Sequence, residues 1–211
     1  MSKIIEIAAT VENGKVKLIE ALVQEALDAG EDPNLILEEG MIAAMSVIGA
    51  KFQRNEVFVP EMLVAAKTMK KGVEVLRPHL TNDSLGKMGK FIIGTVAGDL
   101  HDIGKNLVAL MIESAGFEVI DLGVDVPPSK FVDALAENPD CKLVGASSLL
   151  TTTMAALKDT VDAIHAAGYK GKVKILIGGA PVTQEFADEI GADGYTPDAG
   201  SAATKAVELA S

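Results

Sequence analysis

The fold of this chain is decided around residues 98–106, which read GDLHDIGKN. Residues 90–96, just before them, are mostly apolar and β-branched and predict a buried strand. Residues 104–115 carry apolar side chains at helical spacing and predict a helix. A polar, glycine-flanked loop at the carboxyl end of a parallel strand is where α/β sheets commonly bind ligands. The glycines of a P-loop and of a dinucleotide-binding loop are missing here, so the histidine of this loop, His101, indicates a different ligand.

The alternation of strand and helix patterns continues from position 90 to the end of the chain. Strands are predicted over residues 90–96, 118–122, 142–147, 173–177 and 193–195. Helices are predicted over residues 104–115, 129–137, 153–167, 183–190 and 200–210. Five β–α units of this length predict an α/β fold, a doubly wound parallel five-stranded sheet of the flavodoxin-like or Rossmann-like kind, over residues 90–211.

Residues 1–80 show helical periodicity and no strand pattern. Four amphipathic helices are predicted over residues 4–11, 15–29, 33–52 and 60–76. Short connections between them predict a four-helix bundle, which would form a helical cap domain. Its methionines are expected to fill the core, or else to line an adaptable surface over a ligand; they are Met41, Met45, Met62 and Met69. Residues 81–89 are polar, contain glycine, lack periodicity and predict a linker.

Composition excludes several classes of protein. The 211 residues carry a net charge of −11, which disfavours nucleic acid and anionic membranes as partners. A single cysteine, Cys141, excludes an internal disulfide and fits a reducing compartment. No apolar run approaches the roughly 20 residues that span a bilayer, and the N-terminus does not resemble a signal peptide. We therefore expect a cytoplasmic protein.

Unusual residues follow three of the predicted strands. The loop around His101 follows the first strand, residues 147–153 (SSLLTTT) end the third, and residues 178–181 (GGAP) follow the fourth. These three strands are neighbours in a flavodoxin-like sheet, so their loops are expected to frame one slot. Paired glycines let a ligand or another backbone approach closely. Hydroxyls together with small residues suit a long ligand inserted along the edge of the sheet.

The three segments together resemble the cobalamin-binding signature of methyltransferases and mutases. The signature is Asp-x-His-x-x-Gly, Ser-x-Leu and Gly-Gly, which occur here at residues 99–104, 147–149 and 178–179 in the same order and with similar spacing. The helical N-terminal region resembles the cap of the methyltransferase-type members. The whole chain thus resembles the small corrinoid proteins of methanol, methylamine, betaine and methoxyaromatic methyltransferase systems, and the resemblance implies cobalamin or a related corrinoid as cofactor.

The resemblance also implies a role for each residue of the signature. His101 would bind cobalt from the lower axial side in place of the cofactor's own benzimidazole, the base-off/His-on mode. Asp99 would accept the other ring N–H of His101, and the hydroxyl of Thr153, where the family commonly has serine, would complete a hydrogen-bond relay. Further residues are expected to contact the corrin or its nucleotide tail, or to make room for them: Asp102, Ile103, Gly104, Ser147, Leu149, Thr151, Gly178 and Gly179. From its position, Asp102 could instead only cap the following helix.

The activity implied by the resemblance is that of a methyl carrier, not expected to be active alone. A substrate-specific methyltransferase would load a methyl group onto Co(I), and a second methyltransferase would pass it from methyl-Co(III) to a thiol or a tetrahydrofolate-type acceptor. A reductive activase would restore oxidised cobalt.

Two other classes share the signature. An adenosylcobalamin-dependent mutase subunit would need a catalytic barrel for its substrate, and this sequence contains none. A B12-dependent sensor or regulator usually carries a DNA-binding or signalling module, although its output could lie on another protein. A bundle, a linker and a corrinoid slot are what a carrier needs, so the sequence favours the carrier.

Overall fold

The computed structural model describes residues 2–80 and 88–210. The chain divides into two compact units, with the boundary along the sequence between Lys87 and Met88. Of the predicted linker over residues 81–89, positions 81–87 lie outside the described residues. Within the described ranges no helix is long and apolar enough to cross a membrane.

The first unit is built from helices. Their bounds are Lys3–Glu12 (α1), Ile19–Asp28 (α2), Pro33–Leu35 (α3), Ala43–Gln53 (α4) and Val59–Leu76 (α5). A π-helical segment, Ile36–Ile42, joins α3 to α4, so the predicted helix over 33–52 is continuous but not α-helical throughout. Asp32 caps α3 by accepting a hydrogen bond from the N–H of Asn34, and the following proline lies at the first helical position, where it is tolerated.

The prediction for the second helix is wrong at its start. Residues 15–18 form turns, and α2 begins at Ile19. The N–H of Lys15 donates to the carbonyl of Thr10 and that of Leu18 to the carbonyl of Lys15, so the chain reverses after α1 before it becomes helical again. Apolar residues also occur in turns, so a prediction from the helical spacing of apolar side chains placed the start of this helix four residues too early.

The methionines of the first unit lie in its core. Met41, Met45 and Met62 are almost fully buried and Met69 is nearly so. The buried residues of α1 and α2 are mostly aliphatic and include Ile7, Val11, Ile19 and Val23. Of the two expectations for these residues, the structure supports core filling.

The second unit is the predicted doubly wound sheet. Its strands are Lys90–Thr95 (β1), Glu118–Asp121 (β2), Leu143–Ser147 (β3), Lys174–Gly178 (β4) and Gly194–Tyr195 (β5). Its helices are Ile103–Ser114 (α6), Pro128–Glu137 (α7), Met154–Ile164 (α8), Gln184–Ile190 (α9) and Ala199–Ala210 (α10). All strands pair in parallel in the order β2-β1-β3-β4-β5, the flavodoxin-like order. The fold class predicted from the sequence is therefore confirmed.

The register of the sheet brings the three loops of interest to one level. Thr95 at the end of β1 pairs with Ser147 at the end of β3, and Ser147 pairs with Gly178 at the end of β4. The interior strands are almost entirely buried because helices cover both faces of a parallel sheet. The loops that follow β1, β3 and β4 consequently start side by side at the carboxyl edge.

Candidate functional site

The carboxylate of Asp99 is the buried centre of this edge. Its side chain is 0% exposed. Oδ1 accepts hydrogen bonds from the backbone N–H of His101 at 3.0 Å and lies 2.7 Å from Nδ1 of the same residue. Oδ2 accepts from the backbone N–H of Leu149 at 2.7 Å and from Oγ1 of Thr153 at 3.1 Å. One carboxylate thus ties the loop after β1 to the loop after β3.

These contacts decide the charge of Asp99. Burial by itself would raise the pKa of this carboxyl. The donated hydrogen bonds, first those from the backbone N–H groups and then those from side chains, stabilise the charged form more strongly. They hold the pKa of Asp99 well below its ordinary range, so the group is an ionised acceptor at neutral pH.

The imidazole of His101 is oriented by that acceptor. Because an ionised carboxylate can only accept, Nδ1 of His101 carries the proton and the lone pair of the neutral ring lies on Nε2. The side chain is 51% exposed, and Nε2 has no hydrogen-bond partner within residues 2–80 and 88–210. The backbone is held as well, since Oγ1 of Thr95 donates to the carbonyl of His101 at 2.9 Å. A fixed ring therefore presents one open coordinating nitrogen.

The histidine is not part of a cluster of metal-binding side chains among the described residues. Across the described ranges, no group of three or more histidine, cysteine, aspartate or glutamate side chains is arranged to hold a metal ion.

Large apolar side chains are exposed next to the histidine in sequence and also on the loop after β3. Ile103 is 83% exposed and Leu100 is 73% exposed, while Leu149 and Leu150 are about half as exposed as these. Exposed apolar side chains are ordinary when scattered, but three leucines and one isoleucine exposed on the two segments that Asp99 joins suit an extended, partly apolar ligand.

The glycines of the site differ in what they do. A Cβ at Gly104, in the first turn of α6, would meet nothing within 4 Å, so this position leaves open space. A Cβ at Gly178 would make only an ordinary contact, 3.4 Å from the carbonyl oxygen of Thr196. Gly179 has φ +131°, and a Cβ there would lie 1.8 Å from the carbonyl oxygen of Ser148. Gly179 is thus required for the close approach of two loops of the protein itself, in addition to any room it leaves for a ligand.

The remaining predicted contact residues lie at the same edge. Asp102 is exposed at the start of α6. Its carbonyl accepts from the backbone N–H of Asn106, and its carboxylate accepts from the Asn106 side chain. Oγ of Ser147 lies 3.0 Å from Oγ1 of Thr95, and Thr151 is exposed in a short 3₁₀ turn.

Three residues of the site were not singled out from the sequence. Ser148 is buried, with its Oγ 2.7 Å from Oγ1 of Thr153. Asp125, at φ +53°, accepts from the N–H of Gly98 at 2.7 Å and donates its own N–H to the carbonyl of Asp99 at 2.9 Å. Lys105 is buried in α6 and pairs with Asp121 at the end of β2. Ser148 lies one position beyond the end of β3, so no strand pattern indicates its burial.

Comparisons with known proteins bear on this geometry. A family described as a B12 binding domain matches residues 89–204, and a second family model of the same description matches residues 5–77. The dimethylamine corrinoid protein 1 of Methanosarcina acetivorans is 43% identical over 206 residues, which cover 97% of this chain and 95% of that protein. The trimethylamine corrinoid protein of Methanosarcina barkeri is 42% identical over 191 residues, covering 90% and 88% of the two chains.

A solved structure is also similar over the whole chain. The methanol:cobalamin methyltransferase complex MtaBC from Methanosarcina barkeri contains a chain that matches with a TM-score of 0.85 and 28% identity. The match covers 99% of this chain and 79% of that one.

Proposed function

Because this chain belongs to the B12-binding corrinoid proteins of methyltransferase systems, we propose that it carries methyl groups on the cobalt of a corrinoid bound at His101. The observation that carries the proposal is the pair His101–Asp99, in which a buried, ionised acceptor fixes Nδ1–H and leaves Nε2 open. The scarcity of other protein ligands fits a cofactor that supplies its own.

The bound corrinoid would supply a cobalt ion that accepts and releases a methyl group. The residues of this chain would bind the cofactor and set the basicity of the histidine that binds its cobalt. His101 would be the lower axial ligand, with the cofactor's benzimidazole displaced. Asp99 would set the orientation and basicity of the ring, and the hydroxyl of Thr153 would adjust how strongly Asp99 accepts from it.

The residues around this pair would bind the body and the tail of the cofactor. Ile103 and Asp102 would lie against the corrin, with Gly104 leaving space beneath it. The nucleotide tail would run between the loops after β3 and β4, along Ser147, Leu149 and Thr151. Gly178 would leave room for that tail, since a Cβ there approaches only the carbonyl of Thr196.

A carrier needs partners at both ends of its cycle. We assign the loading step to a substrate-specific methyltransferase, a role supported by the similarity to the methanol:cobalamin methyltransferase complex. The similarity to dimethylamine and trimethylamine corrinoid proteins supports a methylamine as the methyl donor. A second methyltransferase, to a thiol or tetrahydrofolate acceptor, and a reductive activase would complete the system. Residues 1–80 would act as a cap joined by a linker over 81–89 to the cobalamin-binding domain.

The test is the absorption spectrum of the full chain mixed with hydroxocobalamin. The wild type should bind one equivalent and show a histidine-ligated spectrum, and His101→Ala should lose that spectrum. His165→Ala is a matched control, because His165 lies beyond the end of α8 and makes no contact with Asp99. Failure of the wild type to bind cobalamin would overturn the proposal, as would a spectrum that His101→Ala leaves unchanged.

A further inference from the structure

The relay described above leaves one buried hydroxyl unused, that of Ser148. Its side chain is 1% exposed, and its Oγ lies 2.7 Å from Oγ1 of Thr153 and 3.2 Å from the carbonyl oxygen of Leu150. Oγ1 of Thr153 lies 3.1 Å from Oδ2 of Asp99 and 3.0 Å from that same carbonyl oxygen. The hydroxyls of Ser148 and Thr153 thus have two acceptors besides each other: the charged carboxylate of Asp99 and the neutral carbonyl of Leu150.

Counting protons restricts how these groups can bond. Each hydroxyl has one proton to donate and lone pairs with which to accept. At 2.7 Å one hydroxyl must donate to the other, because two oxygens that face each other with lone pairs alone repel. If Ser148 donates to Thr153, the proton of Thr153 is free for Asp99. If Thr153 donates to Ser148, the proton of Ser148 goes to Leu150 and Asp99 loses this donor.

The two arrangements use every hydroxyl proton and differ at Asp99. In the first its carboxylate accepts four hydrogen bonds, and in the second it accepts three, from the two N–H groups of His101 and the N–H of Leu149. The carbonyl of Leu150 already accepts from the backbone N–H of Thr153 and has a lone pair left for one hydroxyl.

We propose that Ser148 is a positioning residue for the axial histidine: its hydroxyl and that of Thr153 reverse together and switch Asp99 between four and three accepted hydrogen bonds. The inference rests on the proposed role of His101. With three bonds, the charge of Asp99 is less shared, so it accepts more strongly from Nδ1–H of His101 and makes Nε2 a stronger donor to a metal. Because each hydroxyl keeps its own proton and only turns it towards a different acceptor, the change needs no proton from solvent.

Removing the two hydroxyls should have opposite effects on the number of hydrogen bonds that Asp99 accepts. Thr153→Val removes the fourth hydrogen bond and fixes Asp99 in the state with three. Ser148→Ala removes the hydroxyl to which Thr153 would donate, and the proton of Thr153 then favours the charged oxygen of Asp99 over a neutral carbonyl. A purely structural role of the two hydroxyls would instead weaken the contact between Asp99 and His101 in both variants.

The experiment reads the histidine directly in cobalamin-free full-length protein labelled with ¹⁵N-histidine. The chain has three histidines, so the signals of His101 are assigned by their absence in His101→Ala. Long-range ¹H–¹⁵N correlation at pH 8 reports the ¹⁵N shift of Nδ1 of His101. We expect Thr153→Val to move it downfield, as a stronger hydrogen bond does, and Ser148→Ala to move it upfield. If Thr153→Val does not fold, Thr153→Ala removes the same hydroxyl and should give the same downfield shift.

Two controls separate hydroxyl chemistry from packing. Thr153→Ser keeps the hydroxyl and should restore the wild-type shift. Thr160→Val removes another buried threonine hydroxyl, one that bonds the carbonyl of Ala156 within α8, and should leave His101 unchanged. Shifts of Ser148→Ala and Thr153→Val in the same direction, or no shift in Ser148→Ala, would overturn the inference. Because the readout needs no cofactor, that failure is distinct from a wild type that binds no cobalamin.

Discussion

Oδ1 of Asp99 lies 2.7 Å from Nδ1 of His101, and the carboxylate is fully buried whereas half of the imidazole is exposed. The contact therefore links the Asp99 carboxylate, which is shielded from water, to the His101 imidazole, which a ligand can reach. The same carboxylate accepts from the loop after β3, so the geometry of the ring depends on two loops at once.

Acid should destabilise the protein partly through Asp99. Folding lowers the pKa of this carboxyl, so its charged form stabilises the folded state fully above the ordinary aspartate pKa of about 4 and progressively less as the pH falls below it. Asp99→Asn should cost about 2 kcal/mol at pH 7, because the amide nitrogen cannot accept. Urea unfolding at pH 7 and pH 3 should show that the wild type loses more stability on acidification than the variant; equal losses would contradict the assignment.

Gly179→Ala should be severely destabilising. The added Cβ would lie 1.8 Å from the carbonyl oxygen of Ser148, and φ of +131° is unfavourable for any side chain. We expect a loss of about 3 kcal/mol or more in the free energy of unfolding. The neighbouring Gly178→Ala is the matched control and should change stability by about 1 kcal/mol at most, since its Cβ makes an ordinary contact. Similar losses in both variants, measured by urea unfolding, would argue against this role of Gly179.

Gly104→Ala should separate stability from cofactor binding. In the protein a Cβ there meets nothing within 4 Å, and alanine in a helix gains up to about 1 kcal/mol over glycine. If the open space belongs to the corrin, affinity for hydroxocobalamin should fall by about tenfold, equivalent to about 1.4 kcal/mol. Equilibrium titration monitored by absorbance measures the affinity, and thermal unfolding measures the stability. Unchanged affinity would mean that the corrin does not use this space.

Asp125 should tolerate asparagine but not valine. Its φ of +53° lies in the left-handed region, which asparagine adopts with ease and a β-branched residue does not. Asparagine also keeps an oxygen that can accept from the N–H of Gly98. We expect Asp125→Asn to be close to neutral and Asp125→Val to cost about 2 kcal/mol in urea unfolding. Equal stability of the two variants would show that this backbone conformation does not strain a side chain.

The sheet was predictable because its pattern is local and repeated. Each strand, such as β1 or β3, is a short β-branched run followed by a helical run, and parallel crossovers leave few possible topologies. The boundaries were less predictable where neighbouring segments decide them. Residues 15–18 have helix-compatible side chains, but a bond from the N–H of Lys15 to Thr10 turns the chain instead.

The site was predictable to the extent that its residues lie close in sequence. Asp99 and His101 are two positions apart, and Thr153 followed from its spacing after Ser147. Asp125 was not predictable in this way, because its partner Gly98 lies 27 positions away. Ser148 lies only five positions before Thr153, but it follows the end of β3, where no strand pattern indicates which side chains are buried. A buried serine within a run of hydroxyls does not reveal which of them it will contact.

The bridge made by Asp99 also orders events during folding. Its donors Leu149 and Thr153 lie 50 and 54 positions further along the chain. Closing a loop of that length is slow compared with forming a helix, and it brings together the segments that follow the paired strands β1 and β3. A chain whose strands β1 and β3 have not yet paired therefore lacks the hydrogen bonds from Leu149 and Thr153 that hold Asp99 beside the histidine. We therefore expect the ability to bind a cofactor to appear late in folding. Binding of the cofactor would then report that the second unit has completed its fold.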